Sequence, residues 1–437
     1  MLSNLGLAGG LLLLILLTVR GVNILIAAPV SALLVALTSG LALLPPLAVD
    51  GGADFATAYM TGFTGFLATW FFMFLAGAIF GEVMATSGAA DSVARFIVER
   101  LGLRYAALAV VAACAVLTYG GVSVFIVAFS VYPMALSLFR RADLPRRFIP
   151  AALAFGSVTF TMTSAGSPEI QNIIPMEYLG TTSFAGWQAS LVVAILMAGL
   201  GYVWLMRMMA RATAKGEAFD ARAGDPSERD YADLPHPALA VAPLAAVLGV
   251  FYWLQGPLEK WALVAALAAG AGVGVLIGLK FLKQMPAAFS TGATGAVVAI
   301  TNTCAVVGFG SVAKTTPAFE RALDLVANVP GDPLIGAAIA VTVIAGLTGS
   351  ASGGQTIALP LIAPVFLAQG VAPGELHRVV AISSGALDSL PHNGYVVTTI
   401  RAICGETHKD AYGPLGALTV LVPLLGLVVA IVLFILF

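Results

Sequence analysis

Uninterrupted apolar runs of about 17–25 residues, the length of a bilayer-spanning helix, recur along all 437 residues of this chain. They lack the strict alternation of an outer-membrane barrel strand. A chain built this way folds as a polytopic α-helical membrane protein. Hydrophobic residues make up 59% of it and charged residues 10%, against about a quarter charged in a soluble domain. That balance excludes a soluble globular protein, a disordered chain and a nucleic-acid binder. Membrane lipid is the surrounding partner. Cys114, Cys304 and Cys404 lie far apart in sequence, which argues against a zinc site or a disulfide framework. No basic region precedes Leu11–Leu17 and no A-x-A site follows, so the first apolar run reads as a retained helix.

The spanning segments read as 5–19, 22–45 and 57–81, then an amphipathic stretch to about residue 100. An apolar stretch over 104–139 is broken at Thr118-Tyr119-Gly120-Gly121. The segments 147–176, broken near Ser164–Glu169, and 187–206 follow. A hydrophilic linker, 211–235, separates this first unit (1–210) from a second (236–437). There the order repeats as 237–255, 260–279, 286–310, an amphipathic stretch, 332–368 broken at Ser350–Gly354, 374–403 broken near Pro391–Gly394, and 415–437. Thr61-Gly62-Phe63-Thr64-Gly65 returns 230 residues later as Thr291-Gly292-Ala293-Thr294-Gly295. Pro145, Gly121 and Gly166 match Pro373, Gly349 and Gly394 at a spacing of 228. Such a constant offset indicates an internal duplication.

If each stretch such as 104–139 returns to its own side, each unit crosses five times and the second is inverted. The arginines flanking 104–139 then mark the cytoplasmic side. Of the 21 Lys and Arg, all but Lys260, Lys314, Arg321 and Arg378 fall on that side, and both termini lie outside. Two full crossings by 104–139 give the same parity. Composition favours re-entrant hairpins, because the breaks hold Thr, Ser and Gly without charge, and irregular backbone at membrane depth must be buried in protein or line a cavity.

Paired, Gly/Pro-interrupted segments at matching places in two inverted units point to a transporter site. The interrupted helices offer free N–H groups and positive dipole ends, which suit a carboxylate. The candidate binding residues are Gly120, Gly121, Ser123, Ser164, Gly166, Ser167, Gln171 and Asn172 in the first unit. In the second they are Ser350, Ser352, Gly353, Gly354, Gln355, His392 and Asn393. A lone Ser or Thr in such a helix more often serves packing or back-bonding; here they cluster in four matched breaks. Ionisable groups inside a membrane segment are functional candidates, and Asp388, His392 and Glu169 are assigned to ion coupling. Asp388 and His392 share a face if the helix persists that far; the structural alternative for Asp388 is capping the second half-helix or stabilising the break, and for Glu169 a dipole partner. Glu82 reads as interfacial, Asn302 as a packing or hairpin-bonding residue, and His236, His377 and His408 as solvated. No HExxH, GxSxG or Walker A pattern occurs, so no enzyme, cofactor or metal centre is expected.

At Gly349-Ser350-Ala351-Ser352-Gly353-Gly354, Gly166–Pro175 and Asp388–Gly394, with the later Cys404-Gly405-Glu406-Thr407-His408-Lys409, the chain resembles the gluconate permease (GntP) family of the ion transporter superfamily. The resemblance spans nearly the whole chain. The last two stretches look more like its hydroxybutyrate-permease-like branch. Sugar-acid permeases tend to carry a His-Pro-Gly-Pro type segment where this chain has Gly-Ser-Pro-Glu-Ile-Gln. The resemblance implies proton-coupled symport of small hydroxy-carboxylates across the bacterial inner membrane, with sugar-acid uptake or sodium coupling as alternatives. It also implies a scaffold containing the first two helices of each unit, a transport domain carrying the hairpins and broken helices, elevator-like motion and a homodimer.

Overall fold

The computed structural model describes residues 2–48, 52–222, 225, 234–391 and 393–437. Its regular elements among the described residues are helices, beside one isolated bridge between Ala42 and Asp54, and seven of these helices are long and apolar enough to cross a membrane. The first unit contains α1 (Leu2–Val19), α2 (Ile24–Ser39), α3 (Phe55–Thr86), α4 (Ala89–Leu101), α5 (Ala106–Tyr119), α6 (Val124–Arg141), α7 (Ile149–Ala154), α8 (Ile170–Leu179) and α9 (Trp187–Ala214). After the linker come α10 (Pro237–Ala240), α11 (Ala242–Leu258), α12 (Trp261–Ile277), α13 (Met285–Lys314), α14 (Pro317–Ala327), α15 (Pro333–Thr348), α16 (Ala351–Ala368), α17 (Pro373–Ser384), α18 (Gly394–Val397), α19 (His408–Gly416) and α20 (Val422–Leu436). Several boundaries differ from the sequence reading: α3, α9 and α13 run on to Thr86, Ala214 and Lys314, and two others have a local cause. Gly40 closes α2 early in a left-handed conformation, its N–H bonded to the Ala36 and Leu37 carbonyls. The last span begins at His408, because the Thr407 hydroxyl caps it by accepting from the Asp410 N–H.

The repeated TGxTG motif has a packing reason. Its first glycine is where α3 and α13 cross. A Cβ on Gly62 would lie 2.8 Å from the Val307 carbonyl oxygen, and one on Gly292 only 2.9 Å from the Ile79 Cα. The contacts are reciprocal: the first unit's glycine meets the far half of α13, and the second unit's meets the far half of α3. Small residues let two membrane helices approach this closely. Tyr59 adds a bond from its hydroxyl to the Ala305 carbonyl at 3.0 Å.

Each unit carries one hairpin, α5–α6 and α15–α16. At 1.5 Å per residue, the 14 residues of α5 reach about 21 Å, short of the roughly 30 Å hydrocarbon core. Both hairpins turn back inside the protein: Gly120, Gly121 and Val122 at the first tip are buried. Gly121 (φ 89°) and Gly349 (φ 60°) take the left-handed turns.

Two buried arginines fix the relation of the units. Arg146, at the start of the first broken segment, donates to the Cys404 carbonyl (3.3 Å) and pairs with Glu406 (3.2 Å), just past the end of the second. Arg378, at the start of the second, donates to the Ser183 carbonyl (3.0 Å) and the Ala185 carbonyl (2.9 Å), just past the end of the first. Each segment begins where the other ends, so the units are inverted. The linker lies on the Arg146 side: Asp225 pairs with Arg146 (2.6 Å) and Arg140 (3.0 Å), and Glu217 with Arg147 (2.6 Å). The opposite side holds Lys260–Glu177 (2.6 Å) and Arg321 bonded to Asn4 (2.7 Å).

Candidate functional site

A cavity of about 330 Å³ lies where the two hairpin tips and the two helix breaks meet. Four helices begin at its wall. Their N-cap residues are Ser123 (α6), Glu169 (α8), Ser350 (α16) and Asn393 (α18), and all four line it. Each helix start presents N–H groups without intrahelical acceptors and the positive end of a dipole. Glu169 and Asp388 are the carboxylates among the described lining residues, and no Lys, Arg or His is among them. The remaining wall comes from α1, α2, α3, α12 and α13, chiefly through apolar side chains such as Met73, Phe74, Leu263, Leu267 and Val306. Asn302 and Thr303 are its polar exceptions on α13.

The units differ in how their N-termini are satisfied. The Ser350 hydroxyl accepts from the Gly353 N–H at 3.1 Å, and Asn393 Oδ1 from the Val396 N–H at 2.9 Å. Asn393 also donates to the Gly349 carbonyl at 2.9 Å, binding the second break to the second tip. Ser123 and Glu169 make no side-chain cap bond. The first unit's two helix starts are thus the more open to a ligand. Beside them, Gln171 Oε1 has no partner among the described residues.

Of the residues singled out from the sequence, Gly121, Ser123, Glu169, Gln171, Ser350, Ser352, Asp388 and Asn393 line the cavity. Gly120, Ser164, Gly166, Ser167, Asn172, Gly353, Gly354 and Gln355 do not. They are buried behind it, where they hold its backbone. Gln355 Nε2 donates to the Gln171 carbonyl (2.8 Å) and the Ser384 hydroxyl (2.9 Å). Asn172 donates to the carbonyls of Ser167 (3.0 Å) and Ser183 (2.9 Å). Gly354 sits against the Ala345 Cα, where a Cβ would come within 2.6 Å. His392 lies outside the described residues.

Several expectations change. Helix α17 stops at Ser384, so Asp388 stands in the break itself, past the end of the helix that a shared face would require. Nor is Asp388 the cap of the following helix; Asn393 is. Asp388 instead accepts from the Ser389 hydroxyl at 2.9 Å. His377 is fully buried rather than solvated, with Nδ1 2.7 Å from the Thr181 hydroxyl and Nε2 3.2 Å from Asn172 Oδ1. Its neighbour Arg378 is a buried residue, not a loop-end charge. Besides Ser183 and Ala185 it donates to the Thr163 carbonyl, and so clasps both flanks of the first break. A buried guanidinium fits there because several carbonyls converge on its fork of donors. Asn302, Thr303, Thr348 and Tyr395 also reach the cavity. Position beside a break could have marked Thr348 and Tyr395; nothing local in sequence marks Thr303.

On the linker side, the Arg147 guanidinium bonded to Glu217 holds that carboxyl below its usual range. Burial alone would raise the Asp225 carboxyl, but the Arg222 N–H and the Arg146 and Arg140 guanidinium groups hold it below its usual range. Among the described residues, no group of three or more His, Cys, Asp or Glu could hold a metal ion.

The sequence profile of the GntP family permeases matches residues 3–255. An uncharacterized transporter, YxjC, from Bacillus subtilis is 33% identical, over 92% of each chain. An uncharacterized transporter from Haemophilus influenzae is 39% identical over 82 residues, 19% of this chain and 20% of that one. Among solved structures, the YdaH transporter of Alcanivorax borkumensis, described as having an unusual topology, superposes with a TM-score of 0.55. It covers 99% of this chain and 97% of its own, at 16% identity, which speaks to the fold alone.

Proposed function

This chain belongs to the GntP family of permeases and is a multi-pass secondary transporter, not an enzyme, and we propose that it is a proton-coupled symporter of small hydroxy-monocarboxylates of the hydroxybutyrate kind. The observation that carries the reading is the meeting of four helix N-termini at one cavity whose described lining has no basic side chain. The substrate carboxylate sits at the open starts of α6 and α8, against the N–H groups that follow Ser123 and Glu169. Ser123, Gln171, Ser350, Ser352 and Asn393 supply donors and acceptors for the carboxylate and the hydroxyl.

The wall contributed by α3 and α12 favours a substrate with an apolar end. Met73, Phe74, Leu263 and Leu267 offer nothing to a chain of hydroxyls, and a buried hydroxyl without a partner costs on the order of 1–3 kcal/mol. A sugar acid, the alternative, leaves several hydroxyls facing this wall. Asp388 and Glu169 are the proton carriers of the proposal. A carboxylate desolvated beside an anion binds a proton more readily, which couples the two loads. The wall contributed by α1–α3, α12 and α13 supports a scaffold against which the hairpins and broken helices move; the homodimer and the bacterial inner membrane are what the family resemblance implies, and the flanking arginines put the linker inside.

Counterflow in proteoliposomes tests the substrate. Liposomes loaded with 3-hydroxybutyrate should accumulate labelled 3-hydroxybutyrate transiently, and external short hydroxy acids should compete better than gluconate. Preferential competition by gluconate would overturn the assignment.

A further inference from the structure

We propose that Asn302 is the hydroxyl-recognising residue of the cavity: its side-chain amide takes the substrate hydroxyl and so separates a hydroxy acid from the unsubstituted acid of the same length. The proposal rests on the hydroxy-monocarboxylate reading above and names the side chain that sets that specificity. Asn302 lies within α13, is half-buried and lines the cavity. The hydroxyls on either side of it turn back on their own helix, Thr301 to the Val297 carbonyl at 2.7 Å and Thr303 to the Ala299 carbonyl at 3.2 Å. Between them, the Asn302 amide has no hydrogen-bond partner among the described residues, so the hairpin bond open to it from the sequence does not form there. An Asn in a membrane helix ordinarily bonds across to a neighbouring helix. One left free at a cavity wall finds its partner in what the cavity holds.

The packing of α13 on α16 sets the level of that amide. Val306 lies against Gly353, where an added Cβ would stand 3.7 Å from its Cγ1, and Gly310 lies against Ile357. Both pairs are 47 positions apart, so the two helices run side by side in the same direction. Asn302 is one turn before Val306 and on the same face, and the same offset brings it level with Gly349 at the second hairpin tip. Other polar groups around that tip are engaged. The Thr348 hydroxyl is shared between the Ala345 and Ser350 carbonyls, both at 3.2 Å. The Ser389 hydroxyl bonds Asp388, and Asn393 holds the Val396 N–H and the Gly349 carbonyl. The duplication shows that helix packing does not demand the amide. At the 230-residue spacing of the TGxTG motifs, positions 302 and 303 correspond to Phe72 and Met73. Phe72 sets its ring beside Trp261, centroids 6.3 Å apart, and Met73 belongs to the apolar wall. The cavity is therefore polarised. The carboxylate takes the open starts of α6 and α8, the hydroxyl takes Asn302, and the carbon chain runs along Met73, Leu263 and Leu267. An amide donates and accepts, as a hydroxyl does, so this one side chain satisfies both functions of the group. An acid without the hydroxyl leaves the amide facing carbon, and a site built to bond a hydroxyl discriminates against such a ligand.

The test uses the full chain in proteoliposomes loaded with 3-hydroxybutyrate, and measures how external 3-hydroxybutyrate and butyrate compete for counterflow of the labelled hydroxy acid. The ratio of their half-inhibiting concentrations is the readout, because a purely structural role moves both acids together and leaves it unchanged. Asn302→Leu puts an apolar group of similar size in place of the amide, and Asn302→Ala removes the amide and leaves room. Wild type should prefer 3-hydroxybutyrate by about tenfold. In both variants the ratio should fall to within about twofold of one, through weaker binding of 3-hydroxybutyrate with butyrate binding kept. A wild-type ratio in both variants overturns the proposal. So does a change in only one of them, which would make the effect one of volume, and so does loss of all exchange in both, which would make the residue structural. A wild-type protein that takes both acids equally overturns the hydroxyl site while leaving a monocarboxylate transporter. A wild-type protein competed better by gluconate than by either acid defeats the monocarboxylate reading itself, and the role of Asn302 falls with it.

Discussion

Exchanging the first glycine of each TGxTG motif for alanine, with the second glycine as its control, tests the inverted packing at its centre. On Gly62 the added Cβ meets the Ser311 Cβ at 2.5 Å and the Val307 carbonyl oxygen at 2.8 Å. Carbon contacts are comfortable at about 3.5–4.0 Å, so α3 and α13 must part by roughly 1 Å. The obstacle includes backbone, which cannot rotate away. On Gly65 the same Cβ meets nothing within 4 Å. Both variants gain the same helix propensity, about 1 kcal/mol, so their difference isolates the overpacking cost of about 1–3 kcal/mol. The second unit repeats the experiment. Gly292→Ala meets the Ile79 Cα at 2.9 Å, while Gly295→Ala meets nothing within 4 Å. Thermal unfolding in detergent, followed by the monodisperse fraction, should place Gly62→Ala and Gly292→Ala below wild type, and Gly65→Ala and Gly295→Ala at or above it. Counterflow should fall in the first pair, because both helices also wall the cavity through Gly77 and Asn302. Equal unfolding temperatures within each pair would refute the crossing.

Three further outcomes follow from the site. Asp388→Asn should keep counterflow but lose accumulation against a gradient; one pH unit stores about 1.4 kcal/mol per proton, so a roughly tenfold wild-type accumulation should fall to none. Asn393→Ala removes a helix cap, about 1 kcal/mol, and leaves the Gly349 carbonyl without its donor, about 1–3 kcal/mol more. Its unfolding temperature should drop, whereas Asn393→Asp keeps the cap yet weakens binding of an anionic substrate in a competition assay. The Glu217 and Asp225 carboxyls lie below their ordinary values, so the linker's ion pairs stabilise it fully above those ordinary values and release as pH falls through the lowered ones. Acid-active protease should therefore cut the linker faster as pH drops below about 4, and an unchanged rate would show that these pairs do not hold it.

The local chemistry of this chain was legible in its sequence. Run length made the helices, because a bilayer demands internally bonded backbone over a fixed span. Gly120-Gly121, Gly349 and Pro168 interrupt apolar segments and show where helices must break. The offset of 230 residues between the two TGxTG motifs announced the duplication. What one dimension could not contain is which broken ends meet. That four N-caps share a cavity follows from the crossing at Gly62 and Gly292 and from Arg146 and Arg378, each clasping the end of the other unit's segment. Arg378 and His377 look from sequence like an ordinary charged loop end. They are buried because the Thr163, Ser183 and Ala185 carbonyls and the Asn172 amide, about 190–215 positions away, converge on them; a helix leaves its end carbonyls without partners until something else supplies a donor. Asp388 likewise promised a helical face or a cap, and the end of α17 at Ser384 left it in the break, facing the cavity. Sequence determined the elements and their interruptions through local hydrogen bonding and solvation. Tertiary packing decided which interruptions face one another, because that depends on contacts between residues hundreds of positions apart.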